Sequence, residues 1–326
     1  MKTSIHVFFR FALAALFLTG ASLSLAQAWP ERVIKVIVPA PPGGNMDVPA
    51  RVFANYLSKE VGQPVIVENK AGAGGAIGVQ AMLNAPADGH TILYTSSNVL
   101  TEIPYAMKPP FDPMKDVRPV AALSKYRYVL VVAQDYPADE LAGMARQLRA
   151  APDKSSFASP SPGTVAQFGG EILNRKLGVN MQHIPFSGTP PALNAVMSGQ
   201  ITMVLDSVVT SGPLLQGGKL KALAIAGTTR YAGMPKVPTF AEQGFPEFND
   251  FSGWQGIAVS SKVPAPIVEK LYAATRRVAG LAPFHDQIAR MGFEPVLPDS
   301  LQQFAQRLQL DYDHFGTLNR TFALKQ

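Results

Sequence analysis

The 326-residue chain contains no cysteine. That excludes anchoring through a lipid-modified cysteine, and it excludes zinc and iron–sulfur sites built on thiolates. Histidine is nearly as scarce: after residue 28 only His90, His183, His285 and His314 occur, each isolated in sequence. No stretch reads Gly-x-Ser-x-Gly or Gly-x4-Gly-Lys-Ser/Thr, so neither a nucleophile elbow nor a nucleotide P-loop is present. A metal site and a cofactor are therefore not expected. Lysines and arginines are scattered without a basic stripe, and nucleic acid is not an expected partner. Long apolar runs are missing too, with one exception at the start.

In residues 1–28, Lys2 and Arg10 precede the mostly apolar, uncharged run 11–25, and Ala26-Gln27-Ala28 supplies small residues around a cleavage position. This is the pattern of a secretory signal peptide cut after Ala28, and it predicts a periplasmic protein. The leader carries two cations and no acid, so its removal lowers the formal net charge from +6 to +4.

What is present in quantity is apolar sequence broken by glycine and proline. Hydrophobic residues make up 47% and charged residues 16%, as in an ordinary globular protein. The length exceeds one hydrophobic core, so two lobes are expected. The organising stretch runs from Val33 to Asp47. Val33, Ile34, Val36, Ile37 and Val38 suit a strand buried in a parallel sheet, and prolines 39, 41 and 42 end it. Gly43 and Gly44 then lead into a helix over about 45–61. The first-turn N–H groups of such a helix lack intrahelical partners and favour an anion. The same residues also fit a plain turn, with Asp47 merely offsetting the helix dipole.

The grammar repeats. A strand over 64–69 enters the glycine loop Gly72-x-Gly74-Gly75-x-x-Gly78, a near miss for the dinucleotide fingerprint because Ile77 replaces a glycine. A third strand, 91–94, ends in Thr95-Ser96-Ser97-Asn98, where either serine could cap a helix or touch a ligand. Apolar runs at 117–123 and 128–132 carry the chain toward a second strand-loop-helix series. There the strands 155–158, 181–185 and 201–206 end at Ser159, Phe186 and Asp206, and 220–226 is a further strand. The segment 251–260, centred on Trp254, reads as a return crossing, followed by helices at 264–278, 282–291 and 301–315 packing on the first lobe. The predicted class is α/β, with lobe 1 formed by 29–125 plus 251–326 and lobe 2 by 126–250. A double crossover makes a hinge, and the ligand cleft lies outside the strand ends.

Several blocks in order resemble one family: Trp29-Pro-Glu-Arg-Val-Ile-Lys-Val-Ile-Val-Pro39, Pro41-Pro-Gly-Gly-x-x-Asp47, Gly62-Gln-Pro-Val-Ile-Val-Glu-Asn69 and His183-Ile-Pro-Phe-Ser-Gly-Thr189. Through them the chain is similar to the extracytoplasmic solute-binding receptors of tripartite tricarboxylate transporters, the Bug receptors. The resemblance implies a type II periplasmic binding-protein fold without enzymatic activity. A small organic acid would be held by backbone amides, hydroxyls and waters and delivered to membrane transporter subunits by a monomeric receptor. It places Gly43, Gly44, Asn45, Asp47, Gly74 and Ser96 on one wall of the cleft. Ser159, Gly163, Thr164, Gln167, Phe186, Gly188, Thr189 and Asp206 stand on the other.

Departures from the family pattern are informative. Gln167 stands where members often carry histidine, and Pro160 and Pro162 stiffen a loop that is usually serine and glycine. Lys125-Tyr126-Arg127-Tyr128 puts charge and aromatics beside the hinge, so Tyr126 or Arg127 could reach the cleft and favour a larger or aromatic acid; a solvated hinge surface is the plainer reading. Two alternatives remain at this level: a sensing receptor that presents the same ligand to a signalling protein, or a secreted hydrolase.

Overall fold

The computed structural model describes residues 29–151 and 155–322. The expected leader and its cleavage position lie outside these described residues.

The first sheet begins with β1 (Ile34–Val38), flanked in parallel by β2 (Val65–Asn69) and β3 (Thr91–Ser96). Successive side chains of β1 face opposite ways, as the pleat requires. Ile34, Val36 and Val38 pack with Ala50, Phe53 and Leu57 of α1 (Asp47–Val61). Ile37 packs the other way, with Val79 and Met82 of α2 (Ala76–Leu83). Each such aliphatic or aromatic side chain withdrawn from water contributes roughly 1.5–3 kcal/mol.

The next strand, β4 (Val117–Ala133), is a single strand of 17 residues where the sequence suggested two runs. Its polar centre, 124–127, reads as a break but stays in the ladder, because Lys125, Tyr126 and Arg127 pair with Trp254, Gly253 and Ser252 of β9 (Ser252–Ser260). Backbone pairing thus overrides the change in side-chain polarity. Register shifts fall at Pro119/Ala121 and Ala122/Ser124, the first at a proline that has no N–H to give. There Gly256 is required: a Cβ on it would stand 2.1 Å from the Ala121 carbonyl oxygen. The strand order of the first sheet is β2-β1-β3-β9-β4, with the short β10 (Glu294–Pro295) on the outer side of β4.

The far half of β4 enters a second sheet between β7 (Met203–Ser207) and β8 (Leu220–Ile225), antiparallel to both. Beyond β7 lie β5 (Ser156–Ser159) and β6 (Gln182–Pro185), parallel to each other. Leu130 and Val132 face α6 (Leu141–Ala150) and α7 (Val165–Leu177). Val129 and Val131 face α8 (Thr189–Met197) and α9 (Val208–Gln216). One strand therefore contributes to both cores, and β4 and β9 form the double crossing.

Of the C-terminal helices, α10 (Ala265–Ala279) and α11 (Ala282–Arg290) cover the first sheet: Val268, Leu271, Phe284 and Ile288 join its core. The last, α12 (Leu301–Phe322), runs seven residues past the expected end at Phe315. Phe304 and Leu308 pack with Trp254 of the first sheet, whereas Phe315 packs 5.9 Å from Phe168 in the second. The helix thus spans both halves, rather than returning to the first alone.

Candidate functional site

The loops that follow β1, β2, β3, β5, β6 and β7 leave the carboxyl ends of the strands, the edge at which parallel αβ sheets take ligands. Asp47 organises the first of them. Its buried carboxylate accepts the Gly43 N–H at 2.8 Å, Arg51 Nε at 3.0 Å and Asn69 Nδ2 at 2.9 Å. Asn69 in turn donates to the Ala40 carbonyl. Burial works against the charge, but the bonds from Arg51, Gly43 and Asn69 outweigh it and hold the Asp47 carboxyl below its usual range. Asp47 therefore fixes the loop and is itself fully engaged. Gly43, with φ of +75°, occupies the left-handed region that glycine tolerates best. The N–H groups of Gly44 and Asn45 make no hydrogen bond among the described residues, and they are the donors this loop offers. Gly74 sits in a short 3-10 turn, Ala73–Gly75, against Ile103 and Met107.

Ser96 ends β3 and, with 4% exposure, hydrogen-bonds the Tyr126 hydroxyl at 2.8 Å. This contact needs Gly253, whose Cβ would fall 2.0 Å from Tyr126 Cζ. Burial raises the hydroxyl pKa of both Tyr126 and Tyr128, so both are neutral donors at physiological pH. Arg127 lies on the opposite face of β4, as a strand neighbour must. Its Nε donates to Glu294 Oε1 at 2.9 Å, another guanidinium nitrogen to the Thr229 carbonyl at 2.6 Å, and the group lies over the Tyr231 ring. The geometry separates the two hinge candidates: Tyr126 meets an expected site residue, while Arg127 ties β10 to the segment after β8.

On the second sheet, many of the expected donors are engaged within the protein. The Phe186 N–H goes to the Ser159 carbonyl and the Gly188 N–H to the Pro160 carbonyl. The Gly163 N–H goes to Gln167 Oε1 at 2.7 Å, so Gln167 closes the loop at the start of its own helix. Thr164 Oγ1 donates to the Ser161 carbonyl. Thr189 opens α8. Asp206, at 6% exposure, accepts from the Thr210 and Ser211 hydroxyls. Burial raises its pKa, the two hydroxyls and the Ser207 N–H opposing. It is a strand-end acid bound to its own loop.

Three residues were not legible in the sequence. Gln255 donates to the Asn45 carbonyl at 3.0 Å and accepts from the Tyr94 hydroxyl at 3.3 Å, so β9 holds the first glycine loop from below. His183 Nε2 lies 2.7 Å from Ser159 Oγ. Ser159 Oγ also reaches the Ser161 carbonyl at 3.0 Å, an acceptor that competes with the imidazole for its single proton. Ser159 is also fully buried, and the pair positions the loop. Glu102 completes the set. It follows α3 (Ser97–Thr101), and its Oε2 accepts the Val165 N–H at 2.9 Å across the seam between the halves. Beside it, a Cβ on Gly163 would stand 2.2 Å from Ala106 Cβ in α4 (Ile103–Met107). No metal-binding cluster of three or more His, Cys, Asp or Glu occurs among the described residues, and no helix among them is long and apolar enough to cross a membrane.

Two αβ halves joined by crossing strands, with glycine-bearing loops converging at the seam, define a two-lobed solute-binding protein. Residues 49–323 match the tripartite tricarboxylate transporter family receptor. The chain is 32% identical over 300 residues to Protein BugT of Bordetella pertussis, covering 90% of this chain and 92% of that one. Among solved structures it resembles one described as a periplasmic transporter, with a TM-score of 0.81, 33% identity, and coverage of 91% and 99%. It also resembles MatC of Rhodopseudomonas palustris, solved with bound malate, with a TM-score of 0.77, 31% identity, and coverage of 89% and 99%. The chain belongs to the tripartite tricarboxylate transporter receptor family. It has the periplasmic binding-protein fold, and its family consists of transporter receptors rather than enzymes.

Proposed function

We propose that the chain captures a small organic acid between lobe 1, residues 29–125 and 251–322, and lobe 2, residues 126–250, as a periplasmic monomer freed by cleavage after Ala28. The observation that carries this reading is the first glycine loop. Asp47, Asn69 and Gln255 hold its frame, and the Gly44 and Asn45 N–H groups are left for a ligand at the start of α1. A carboxylate suits donors at a helix start without needing an arginine. The reading assigns Ser96, Tyr126, Gly74, Thr164 and Thr189 to the same site, with water completing the contacts. The malate bound by MatC, a relative in fold and sequence, agrees with that chemistry.

The test is native mass spectrometry of gently purified mature protein, followed by thermal shift against a panel of organic acids. A ligand at a hundred times its Kd stabilises by about 2.7 kcal/mol, a rise of roughly 4 °C for a chain of this size. One acid class should give that shift. Folded, ligand-free protein that responds to no carboxylate would refute the reading.

A further inference from the structure

Outside the ligand loops stands a buried glutamate, Glu102. It is 2% exposed and stands at the seam between the two sheets. Its Oε2 is spent on the Val165 N–H, at the first residue of α7, a position where a helix otherwise offers its unpaired donors to an anion. Its Oε1 makes no hydrogen bond among the described residues, and no lysine or arginine pairs with the carboxyl. The groups that act on it or feel it are Asp311 of α12, Tyr126 and Tyr128 of β4, and none is a cation. Asp206 lies within electrostatic reach of Tyr128 from the β7 side.

We infer that Glu102 is a specificity-determining residue: it fills the anion position on the second lobe from within the protein. The ligand is then an acid with one carboxylate, for the first glycine loop, and an uncharged far end bearing an amide or hydroxyl. This rests on the proposed capture of an organic acid. A second ligand carboxylate at that end would find the Val165 N–H already taken by Glu102 Oε2 and no lysine or arginine paired there. A buried carboxylate left without a donor or a counter-cation is among the costliest arrangements a site can hold. An amide or hydroxyl both donates and accepts, so it suits Oε1 whether Glu102 is ionised or protonated. The tyrosine and serine hydroxyls nearby are equally two-sided. Burial, opposed by the Val165 N–H and assisted by Asp311, pushes the Glu102 pKa up to about 8, so both forms are populated at neutral pH.

The experiment titrates mature wild-type protein, Glu102→Gln and Glu102→Ala with matched pairs of acids by calorimetry at pH 7. Each pair shares a chain length and differs only at the far end: glutarate against glutaramate, adipate against adipamate, malate against malamate. Wild type should prefer the half-amide at least tenfold in one pair. Glu102→Ala, which frees the Val165 N–H, should bring that preference to unity or reverse it. Glu102→Gln keeps the size of the side chain and should also relax the discrimination, which separates charge from packing. Wild type binding the diacid more tightly than its half-amide, or discrimination unchanged in both variants, overturns the assignment while leaving acid capture intact. No binding of either member of any pair, with folding confirmed by circular dichroism, counts against the assignment and the capture reading together. A thermal-shift response to unrelated acids would then restore the capture reading alone.

Discussion

Asp47 shows how one side chain can be necessary to a binding loop without touching what the loop binds. Its carboxylate meets donors from Gly43, Arg51 and Asn69, leaving none of its oxygens unengaged. Removing it takes away the acceptor of two part-buried hydrogen bonds, from the Gly43 N–H and the Asn69 amide, at about 1–3 kcal/mol for the two together. Asp47→Ala should therefore lower thermal stability by roughly that amount and weaken acid binding at least tenfold, both measurable in one calorimetric series. Its depressed pKa gives stability that is present above the unfolded value of 3.8 and lost as pH falls below it. Glu102 has the opposite sign. Its unfolded value is 4.5 and its folded value about 8, so its contribution is complete below pH 4.5 and lost as pH rises toward 8. Asp311, Asp206, Tyr126 and Tyr128 are the neighbouring titratable groups, and subtracting Glu102→Gln from wild type cancels their direct contributions to first order. The difference in melting temperature, variant minus wild type, should grow from pH 5 to pH 8 and then level. A flat difference would show that Glu102 ionises normally in the folded protein. Neither role could be read from the chain alone. Asp47 is four residues from Gly43 and was singled out, but Glu102 and Val165 are 63 residues apart. A lone glutamate carries no signal of a partner at that distance.

Among the elements, the strand-loop-helix units were legible because their signals are local. An apolar run, a proline or glycine stop and a helical period place β1, β2, β3 and β5 within a residue or two. Three features escaped. Helix α9 carries Pro213 and Gly212 inside it, which local rules read as a loop; its tertiary contacts through Val208 override them. The unity of β4 was hidden by its polar centre. The end of α12 was hidden because its second half buries a different stripe, against α7. The pairing of β4 with β9 gives an element-scale prediction. Gly253→Ala places a methyl inside the Tyr126 ring and should destabilise by about 2 kcal/mol or more, as overpacking does. Tyr126→Ala in the same chain removes the obstacle. The double variant should recover stability relative to the sum of the singles, a coupling readable from denaturant midpoints. Strict additivity would mean that the ring moves aside at no cost.

For the whole molecule, the seam is the quantity of interest. Glu102 to Val165 and Ala106 against Gly163 bring the halves into contact. Strand β4 and helix α12 are the elements common to both. Gly163→Ala meets both a positive φ of +76° and the Ala106 methyl. It should shift the population toward separated lobes, seen as a larger radius of gyration in X-ray scattering and faster ligand release. No change in either would place the moving boundary elsewhere. The two-lobed class was legible from length and from the repeated grammar of the two halves. The contacts that close the halves were not, since each joins residues whose proximity only the finished fold creates.

The placement of β9 has a kinetic meaning. It lies between β3 and β4, pairing Leu93 with Ala258 and Arg118 with Val259, so the middle of the first sheet is supplied by nearly the last strand in the chain. A polypeptide appearing from its N-terminus has β1, β2 and β3 early, yet the strand that joins them to β4 arrives more than 150 residues after β3. Until then β3 and β4 present open edges, and the second sheet, whose strands all precede β9, can form first. Long-range pairing of this kind is slow to close. The first half of the sequence is therefore the last half of the protein to be finished, and for that interval the chain remains an incomplete fold that other machinery can still handle as an extended strand.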